Sequence, residues 1–380
     1  MFLITNRHIQ PHVTFGGVEI LGDTVSNDRM NDLRVLEASV VDGADHLTVI
    51  HDRLDNADID SLETLTPTEI ARLAAGPDPD HDDQDGPWHG MYGSRLVADR
   101  LVRDGRDVVL FVHGYNTGVA AALRRSREIE ENYDVQVVLF CWPSDGRTIR
   151  YKRDKLDARL SASALHRVIE IAASHLELLR GGEVERLVEE ARNAHPADRE
   201  RRDARVAERV AASCPVKLAL IAHSMGNYLL KHVFNSSLAS RLPVLFDNVL
   251  LSAADTNRRD HASWVDCVPH RNRLYVCINE DDYALGLSRL KGGEQQLTRL
   301  GHSVKGLDAR SATYVDFTGA QHVGKSHTYF GPDANGEDAL QNAEVRAFFD
   351  LALHGQRPEE RLPYDESRNL YRLAGLAATQ

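Results

Sequence analysis

The stretch from Leu218 to Leu230 places a serine where it could act as a nucleophile. A mostly apolar run over 216–222 breaks at a histidine and a serine, and apolar residues then return at helical spacing, so the pattern predicts a strand, a sharp turn and a helix. A serine at the apex of such a turn presents its hydroxyl at the end of a sheet. The motif Ala222-x-Ser224-x-Gly226 therefore favours a nucleophile elbow, although a serine that only caps a helix can have the same pattern.

A serine hydroxyl needs partners before it can attack a carbonyl. A base must take its proton, an acid must orient the base, and two donors must face the oxygen that gains negative charge. Each partner should lie in a loop that follows a strand, at the edge of the sheet where the serine lies. After the run 108–112 the chain reads His-Gly-Tyr-Asn, and we expect an N–H near Gly114 or Tyr115 to form an oxyanion hole with that of Met225. A βα turn that simply needs glycine is the alternative.

Candidate acids and bases follow the last two predicted strands. Three consecutive acids come after the run 273–278, namely Glu280, Asp281 and Asp282. Two histidines, His322 and His327, lie in a glycine-rich loop over 318–331. Spacing alone leaves open which acid and which histidine act, because most of these residues must lie in solvated turns. Further residues at this edge should shape a pocket or fill space above the sheet: His113, Asn116, Trp142 and His223.

The elements that would position these residues form an alternating pattern. Near-continuous apolar runs, typical of parallel strands covered on both faces, occur at 107–112, 135–142, 216–222, 246–252, 273–278 and 313–317. Helical patterns lie between most of them, including 119–133. The alternation predicts an α/β fold with a mostly parallel central sheet flanked by helices.

The rest of the chain divides by composition. Residues 1–104 form an N-terminal extension with short, antiparallel strands predicted at 2–5, 33–41 and 46–51, helical pieces at 60–75 and 94–103, and an acidic loop at 76–87. The main domain is expected over 105–355. It contains a helical insertion at about 145–213, with a long helix at 156–179 and a charged stretch at 181–212. A polar tail is expected over 356–380.

Composition excludes several classes of function. The net charge of −12 argues against a basic surface for nucleic acid or anionic membranes. No apolar run is long enough to span a bilayer, and the start lacks the pattern of a signal peptide. The four cysteines, Cys141, Cys214, Cys267 and Cys277, have no metal-ligand spacing and are interpreted as reduced core residues. We therefore expect a cytoplasmic protein without a metal or cofactor.

Three motifs together resemble a largely uncharacterised bacterial branch of the α/β-hydrolases, related to serine esterases and lipases. They are Phe111-Val-His-Gly-Tyr-Asn116, Phe140-Cys-Trp-Pro-Ser144 and Ala222-His-Ser-Met-Gly226. The segments 282–285 and 326–330 are similar to the acid and histidine segments of that branch. The resemblance covers about residues 105–352. It implies Ser224 as nucleophile, His327 as base and Asp282 as acid, with Asp281 and then Asp255 as alternative acids.

These patterns lead to one hypothesis and two rivals. The leading hypothesis is a serine hydrolase that cleaves a small-molecule ester or related acyl bond through an acyl-enzyme on Ser224. One rival is an α/β-hydrolase fold kept as a binding or regulatory module. The other is a serine peptidase with the same triad. The N-terminal extension or the helical insertion could bind a protein partner or a second copy of the chain.

Overall fold

The computed structural model describes residues 1–9, 13, 15–26, 33–54, 97–98, 100–101, 103–146, 150–173, 216–236, 242, 244–288, 297–333, 336 and 338–373. The helical pieces predicted at 60–75, the acidic loop at 76–87, the charged stretch at 181–212 and Cys214 lie outside these residues.

The apolar runs form strands of one large sheet, and a small second sheet pairs β2 with β4. The strands are β1 (Phe2–Thr5), β2 (Arg7–Ile9), β3 (Phe15–Gly17), β4 (Leu21–Val25), β5 (Leu33–Val41), β6 (Ala44–Leu54), β7 (Val108–Val112), β8 (Gln136–Phe140), β9 (Leu218–His223), β10 (Phe246–Ser252), β11 (His270–Ile278), β12 (Ala312–Asp316), β13 (Tyr364–Asp365) and β14 (Leu370–Arg372).

The large sheet is mostly parallel. Its order is β13-β14-β12-β11-β10-β9-β7-β8-β1-β5-β6-β3. All neighbours from β14 to β1 pair in parallel, and the antiparallel pairs lie at the two ends of the sheet. Because parallel strands end at a common edge, the loops after β7, β9, β11 and β12 meet there.

Helices cover both faces of this sheet. They are α1 (Val119–Tyr133), α2 (Tyr151–Leu160), α3 (Met225–Phe234), α4 (Ala262–Val265), α5 (Tyr283–Ser288) and α6 (Ala343–Leu353). Short 3₁₀ turns occur at Val18–Ile20, Leu300–His302, Ala339–Gln341 and Pro358–Arg361. Further helical residues occur at 97–98, 100–101, 103–104 and 162–173. None of the helices in the described ranges is both long and apolar enough to cross a membrane.

The core forms two apolar layers, one on each face of the sheet. Alternate residues of β7 enter opposite layers: Leu110 packs with residues of α2 and α3, and Phe111 packs with residues of α1 and α6. Leu110 and Phe111 are both buried. The predicted α/β architecture, a mostly parallel sheet flanked by helices, is confirmed.

The N-terminal strands differ from the prediction in one respect. β5 and β6 are antiparallel as expected. β1, however, pairs in parallel with β8 on one side and antiparallel with β5 on the other, so it lies inside the main sheet. Its apolar residues Phe2 and Leu3 are buried, which explains why the strand is not a separate hairpin.

Three further predictions are corrected. The long helix expected at 156–179 begins earlier, as α2, and a turn at Ser161 separates it from helical residues 162–173. The polar tail adds β13 and β14 to the sheet, because Leu370 and Leu373 are buried. Cys267 is exposed, whereas Cys141 and Cys277 lie in the core.

Candidate active site

Ser224 lies at the turn between β9 and α3 in a strained backbone conformation. Its φ is 53° and its ψ is −118°, a region that side-chain-bearing residues rarely adopt. Backbone hydrogen bonds fix this geometry: the Ser224 N–H donates to Ser252 O at 3.0 Å, and Ser224 O accepts from the N–H groups of Asn227 and Asp255, both at 3.1 Å. The strain therefore persists because the neighbouring strand and the helix both constrain the turn.

Small residues on either side of Ser224 allow this turn. A Cβ on Gly226 would lie 2.5 Å from Val112 O and 2.8 Å from His113 O, so only glycine fits against the end of β7. Ala222 is fully buried and its methyl group joins the core layer beneath α3, which explains why alanine is accepted there. The amide of Asn227 further holds the turn, with Nδ2 2.7 Å from Ala222 O.

The loop after β7 packs directly on the serine. A Cβ on Gly114 would lie 2.9 Å from the Ser224 Cβ and 3.2 Å from His223 Nδ1. Met225 is the first residue of α3, where backbone N–H groups have no partner within the helix and the helix dipole is positive. The arrangement brings the main chain of Gly114 and of Met225 to the same serine.

Asp282 and His327 form a hydrogen-bonded pair across two loops. His327 Nδ1 lies 2.8 Å from Asp282 Oδ2. Because a carboxylate only accepts, Nδ1 carries the proton and the lone pair of neutral His327 lies on Nε2. Burial lowers the pKa of His327, but the charge of Asp282 and its hydrogen bond outweigh burial, with smaller contributions from Asp333 and Asp255, so the pKa lies above its ordinary value.

The other acids and the other histidine have different surroundings. Asp281 is exposed, and its N–H donates to Asn279 Oδ1 at 3.1 Å. Asp255 is buried, but its carboxylate accepts from Tyr151 Oη at 2.9 Å and lies 2.9 Å from Arg299 Nε. His322 is exposed. Of the candidates, Asp282 and His327 are the acid and the histidine that the structure brings together.

His223, next to Ser224, contacts His327. The two ring centroids are 4.7 Å apart, and His223 Nε2 donates to His327 O at 3.1 Å. Burial lowers the pKa of His223 well below its ordinary value, and a positive His327 lowers it further. His223 therefore stays neutral, with its proton on Nε2 and its Nδ1 toward Gly114.

The remaining predicted pocket residues divide into buried and accessible ones. The rings of His113 and Trp142 stack with centroids 5.0 Å apart, and Trp142 Nε1 donates to His113 O at 2.8 Å. Burial and the charge of Arg7 lower the pKa of His113 to about 3, so it is neutral. Both residues are buried, and the hydrogen bond between them ties the loop after β7 to the end of β8.

Tyr115 and Asn116 lie further out on the same loop. Tyr115 is half-buried and packs edge to face on Tyr151 of α2, with ring centroids 5.2 Å apart. Asn116 is exposed and adopts a φ of 57°, a conformation that asparagine tolerates better than most residues. Its N–H points to Asp154 Oδ2 at 3.4 Å.

Three residues that the sequence analysis did not single out hold the acid and histidine loops. Tyr329 Oη donates to Asp282 Oδ2 at 3.1 Å. Asn279 Nδ2 lies 3.0 Å from Gly324 O and 3.2 Å from Ser326 O, which ties the acid turn to the histidine loop. Asp333 accepts the N–H of His327 at 2.6 Å. Of these three residues, only Asn279 carries a signal in the sequence, because it is a polar residue at the end of a predicted strand.

Within the described ranges, no group of three or more histidines, cysteines or acids could hold a metal ion. The loops at the sheet edge that carries Ser224 also carry His327, whose free lone pair lies on Nε2, and the carboxylate of Asp282. A hydroxyl, an imidazole and a carboxylate within hydrogen-bonding reach of one another can transfer a proton from the hydroxyl to the imidazole and stabilise the imidazolium that results.

Comparison with known proteins identifies a family for this chain. A family model described as an alpha/beta hydrolase of unknown function (DUF900) matches residues 94–179 and 204–334, more than half of the chain. No curated protein and no solved structure gives a significant match. The match includes the serine turn, the acid loop and the histidine loop, and it confirms the resemblance seen in the motifs. The chain belongs to this family of alpha/beta hydrolases of unknown function.

Proposed function

We propose that the protein is a serine hydrolase that cleaves a carboxylic ester through an acyl-enzyme on Ser224. The observation that carries the proposal is the Asp282–His327 hydrogen bond, 2.8 Å long, together with the contact of His327 with His223, the residue before Ser224, at a ring-centroid distance of 4.7 Å. Ser224 itself is held at a φ of 53°. Membership of an alpha/beta hydrolase family supports hydrolysis as the reaction class. Thioesters and amides undergo the same chemistry and are alternative substrates.

The first half of the proposed reaction is acylation. Ser224 Oγ attacks the ester carbonyl carbon while His327 Nε2 takes the hydroxyl proton, and Asp282 stabilises the imidazolium through Nδ1–H. The carbonyl electrons move to oxygen, where the N–H of Met225 and an N–H of the Gly114–Tyr115 loop would donate. Collapse of this intermediate expels the alcohol, which leaves with the proton from His327.

The second half is deacylation. Water loses a proton to His327 Nε2 and attacks the acyl carbon, and the bond to Ser224 Oγ breaks. His327 returns its proton to Oγ, so the carboxylic acid is released and the enzyme is unchanged. No redox partner or cofactor is needed for this sequence. A cytoplasmic location stays a prediction, as does a protein partner or a second copy of the chain bound through the N-terminal extension or the helical insertion.

Labelling with a fluorophosphonate probe tests the proposal. The wild-type protein should be labelled at Ser224 near neutral pH, because the probe forms a stable phosphonyl ester with an activated serine. Ser224→Ala should abolish labelling, and His327→Asn should slow it by about 10³-fold or more. Hydrolysis of short acyl esters should fall in parallel.

Matched controls separate chemistry from folding. Ser263 is exposed and donates to Asp260 O, so Ser263→Ala should label like the wild type. His322→Asn changes an exposed histidine of the same loop and should also label normally. A wild-type protein that is folded yet unreactive would contradict the proposal and favour a binding module. Turnover of peptides without turnover of esters would favour a peptidase.

A further inference from the structure

Both backbone polar groups of His327 bond to side chains from outside its immediate loop. The carbonyl accepts from His223 Nε2 at 3.1 Å, at the end of β9. The N–H donates to Asp333 Oδ2 at 2.6 Å. The imidazole is thus carried by a residue whose two flanking peptide units are each held by a side chain, independently of the contact between the imidazole and Asp282.

Asp333 contributes more than one hydrogen bond to this loop. The same Oδ2 accepts the N–H of Thr328 at 2.8 Å and lies 3.1 Å from Ser326 Oγ. The Ser326 hydroxyl is also 2.9 Å from Thr328 O, and its single proton can serve one acceptor at a time. Two consecutive N–H groups that converge on one anionic oxygen define the backbone direction at His327.

The segment that carries Asp333 is itself anchored to the helical layer. Arg125 of α1 donates from Nη2 to Pro332 O at 2.6 Å and pairs with Glu128 at 2.7 Å. A Cβ on Gly331 would lie 2.5 Å from Arg125 Nη1, so this arginine packs tightly on the segment. The segment 331–333 therefore connects His327 to α1, on the face of the sheet opposite to α3.

We propose that Asp333 is a positioning residue that holds the His327 peptide and so aims the imidazole at Asp282. The inference rests on the proposed function for the role of His327. Without the carboxylate, the N–H groups of His327 and Thr328 would lose their shared acceptor, and the imidazole would sample orientations away from Asp282. A misplacement of about 1 Å at a catalytic group can lower a rate by roughly 100-fold.

Asp333 acts on His327 through its negative charge as well as through its hydrogen bonds. The charges that act on His327 are those of the Asp282, Asp333 and Asp255 carboxylates, and the neutral imidazole of His223 packs against its ring. Each carboxylate favours the imidazolium and raises the pKa of His327. Loss of the Asp333 charge should therefore lower that pKa, and the neutral base should be present from a lower pH.

Two substitutions of Asp333 separate the effect of losing its hydrogen bonds from the effect of losing its charge. Asp333→Ala removes the acceptor and the charge, and Asp333→Asn keeps one acceptor oxygen without the charge. We expect fluorophosphonate labelling to slow by roughly 100-fold in Asp333→Ala. Asp333→Asn should label at a rate closer to the wild type, with the rise of rate with pH displaced to lower pH. Asp260→Asn, at an exposed aspartate with a φ of 61°, is the control.

A second readout keeps this inference separate from the proposed function. Histidine NMR measures the titration of His327 and the downfield Nδ1 proton bonded to Asp282, whether or not Ser224 reacts. We expect Asp333→Asn to lower the titration midpoint and Asp333→Ala to weaken the downfield resonance. A folded Asp333→Ala protein with wild-type resonance and midpoint would overturn the inference. If that variant does not fold, Asp333→Glu replaces it, because this change keeps the charge and moves the carboxylate by one methylene group. An unchanged downfield resonance in Asp333→Glu would then overturn the inference.

Discussion

At the scale of single residues, Asp282 is held by both of its oxygens. Oδ2 accepts from His327 and Tyr329, and Oδ1 accepts the N–H of Leu285 at 3.0 Å, at the start of α5. The carboxylate is 1% exposed and cannot rotate without losing these donors. It therefore fixes the tautomer of His327 as well as its orientation.

Replacement of Asp282 by asparagine tests this role. In Asp282→Asn the amide NH₂ could face Nδ1, which would favour the tautomer with the proton on Nε2 and remove the base. We expect kcat for ester hydrolysis to fall by about 10³–10⁴-fold with little change in stability. Steady-state kinetics and urea unfolding of the purified variant measure the two effects.

The neighbouring acid provides the control. Asp281→Asn changes an exposed side chain. The hydrogen bond of Asp281 to Asn279 comes from its backbone N–H, which the substitution keeps. Its kcat should match the wild type. Equal losses in the two variants would show that the loop, and not the Asp282 carboxylate, is what the reaction requires.

The choice between these two acids illustrates the limit of sequence reasoning at this scale. Residues 280–282 form one acidic run, and each lies within reach of the strand end by spacing alone. The turn made by Asn279 decides which of them faces inward: the Asp281 N–H bonds to the Asn279 side chain, and the Asp282 N–H to its carbonyl at 3.2 Å. Only the resemblance to a family singled out Asp282 and His327 from their neighbours.

At the scale of elements, the β9–α3 turn depends on close contact with the end of β7. Gly226 is the point of closest approach, because its Cα faces the carbonyls of Val112 and His113. Ser224 lies two residues earlier. A change in the spacing between β7 and α3 would therefore move the serine relative to the loop that carries Gly114.

Gly226→Ala should destabilise the protein and lower its activity together. The added methyl would have to push α3 away from β7, at a cost of about 1–3 kcal/mol. Urea unfolding measures the loss in free energy, and fluorophosphonate labelling of the folded fraction measures the displacement of Ser224. Gly118→Ala is the control for loss of a glycine, because nothing lies within 4 Å of its Cβ and its φ of −72° is open to alanine.

An element can be predicted when the interactions that specify it join residues close in the sequence. The strand, turn and helix around Ser224 were predictable, because apolar periodicity and small residues within a dozen positions specify them. The hydrogen bonds that tie the histidine loop to the ends of β9 and β11 were not, because His223 and Asn279 lie 104 and 47 positions away from their partners in that loop. Nothing in the local sequence of that loop marks such partners.

At the scale of the whole molecule, a second histidine–aspartate pair joins the opposite edge of the sheet. Asp107 precedes β7, and its Oδ2 lies 2.5 Å from His354 Nδ1, just after α6. His354 Nε2 is 3.0 Å from Tyr133 O at the end of α1. Burial lowers the pKa of His354, but these hydrogen bonds and the charge of Asp107 outweigh burial and raise the pKa above its ordinary value.

This pair predicts a pH dependence of stability. Because the folded-state pKa of His354 is raised, its contribution is fully present below the unfolded-state pKa of about 6.5 and is lost as pH rises through the folded-state pKa. The difference in free energy of unfolding between wild type and His354→Gln should therefore be largest in mild acid and shrink toward alkaline pH. Urea unfolding across that range measures it.

An exposed histidine serves as the reference for this experiment. His322→Asn replaces an exposed histidine and is measured over the same interval as the reference variant. A His354→Gln difference that stays constant with pH would mean that His354 stabilises the fold as a neutral side chain. The experiment needs no substrate, so its result does not depend on the proposed reaction.

The overall architecture was predictable because the alternation of apolar runs and helical patterns is repeated over most of the chain. The place of β1 was not. A four-residue apolar strand pairs equally well with a parallel or an antiparallel partner by its sequence, and burial of Phe2 and Leu3 between β8 and β5 is a tertiary effect. Similarly, β14 has only Leu370 as a buried residue, too weak a pattern to predict a strand in a polar tail.

The position of β1 has a consequence for the order of folding. Thr5 Oγ1 donates to Cys141 O across a separation of 136 positions, whereas β5 and β6 are joined by a tight turn. The β5–β6 hairpin can form locally. Both edges of β1 are paired only once β8 is also in place. Contacts of such high sequence separation slow folding, since a long loop must close before they form. Docking of the first strand is therefore expected late in folding, after the sheet that carries Ser224 has begun to assemble.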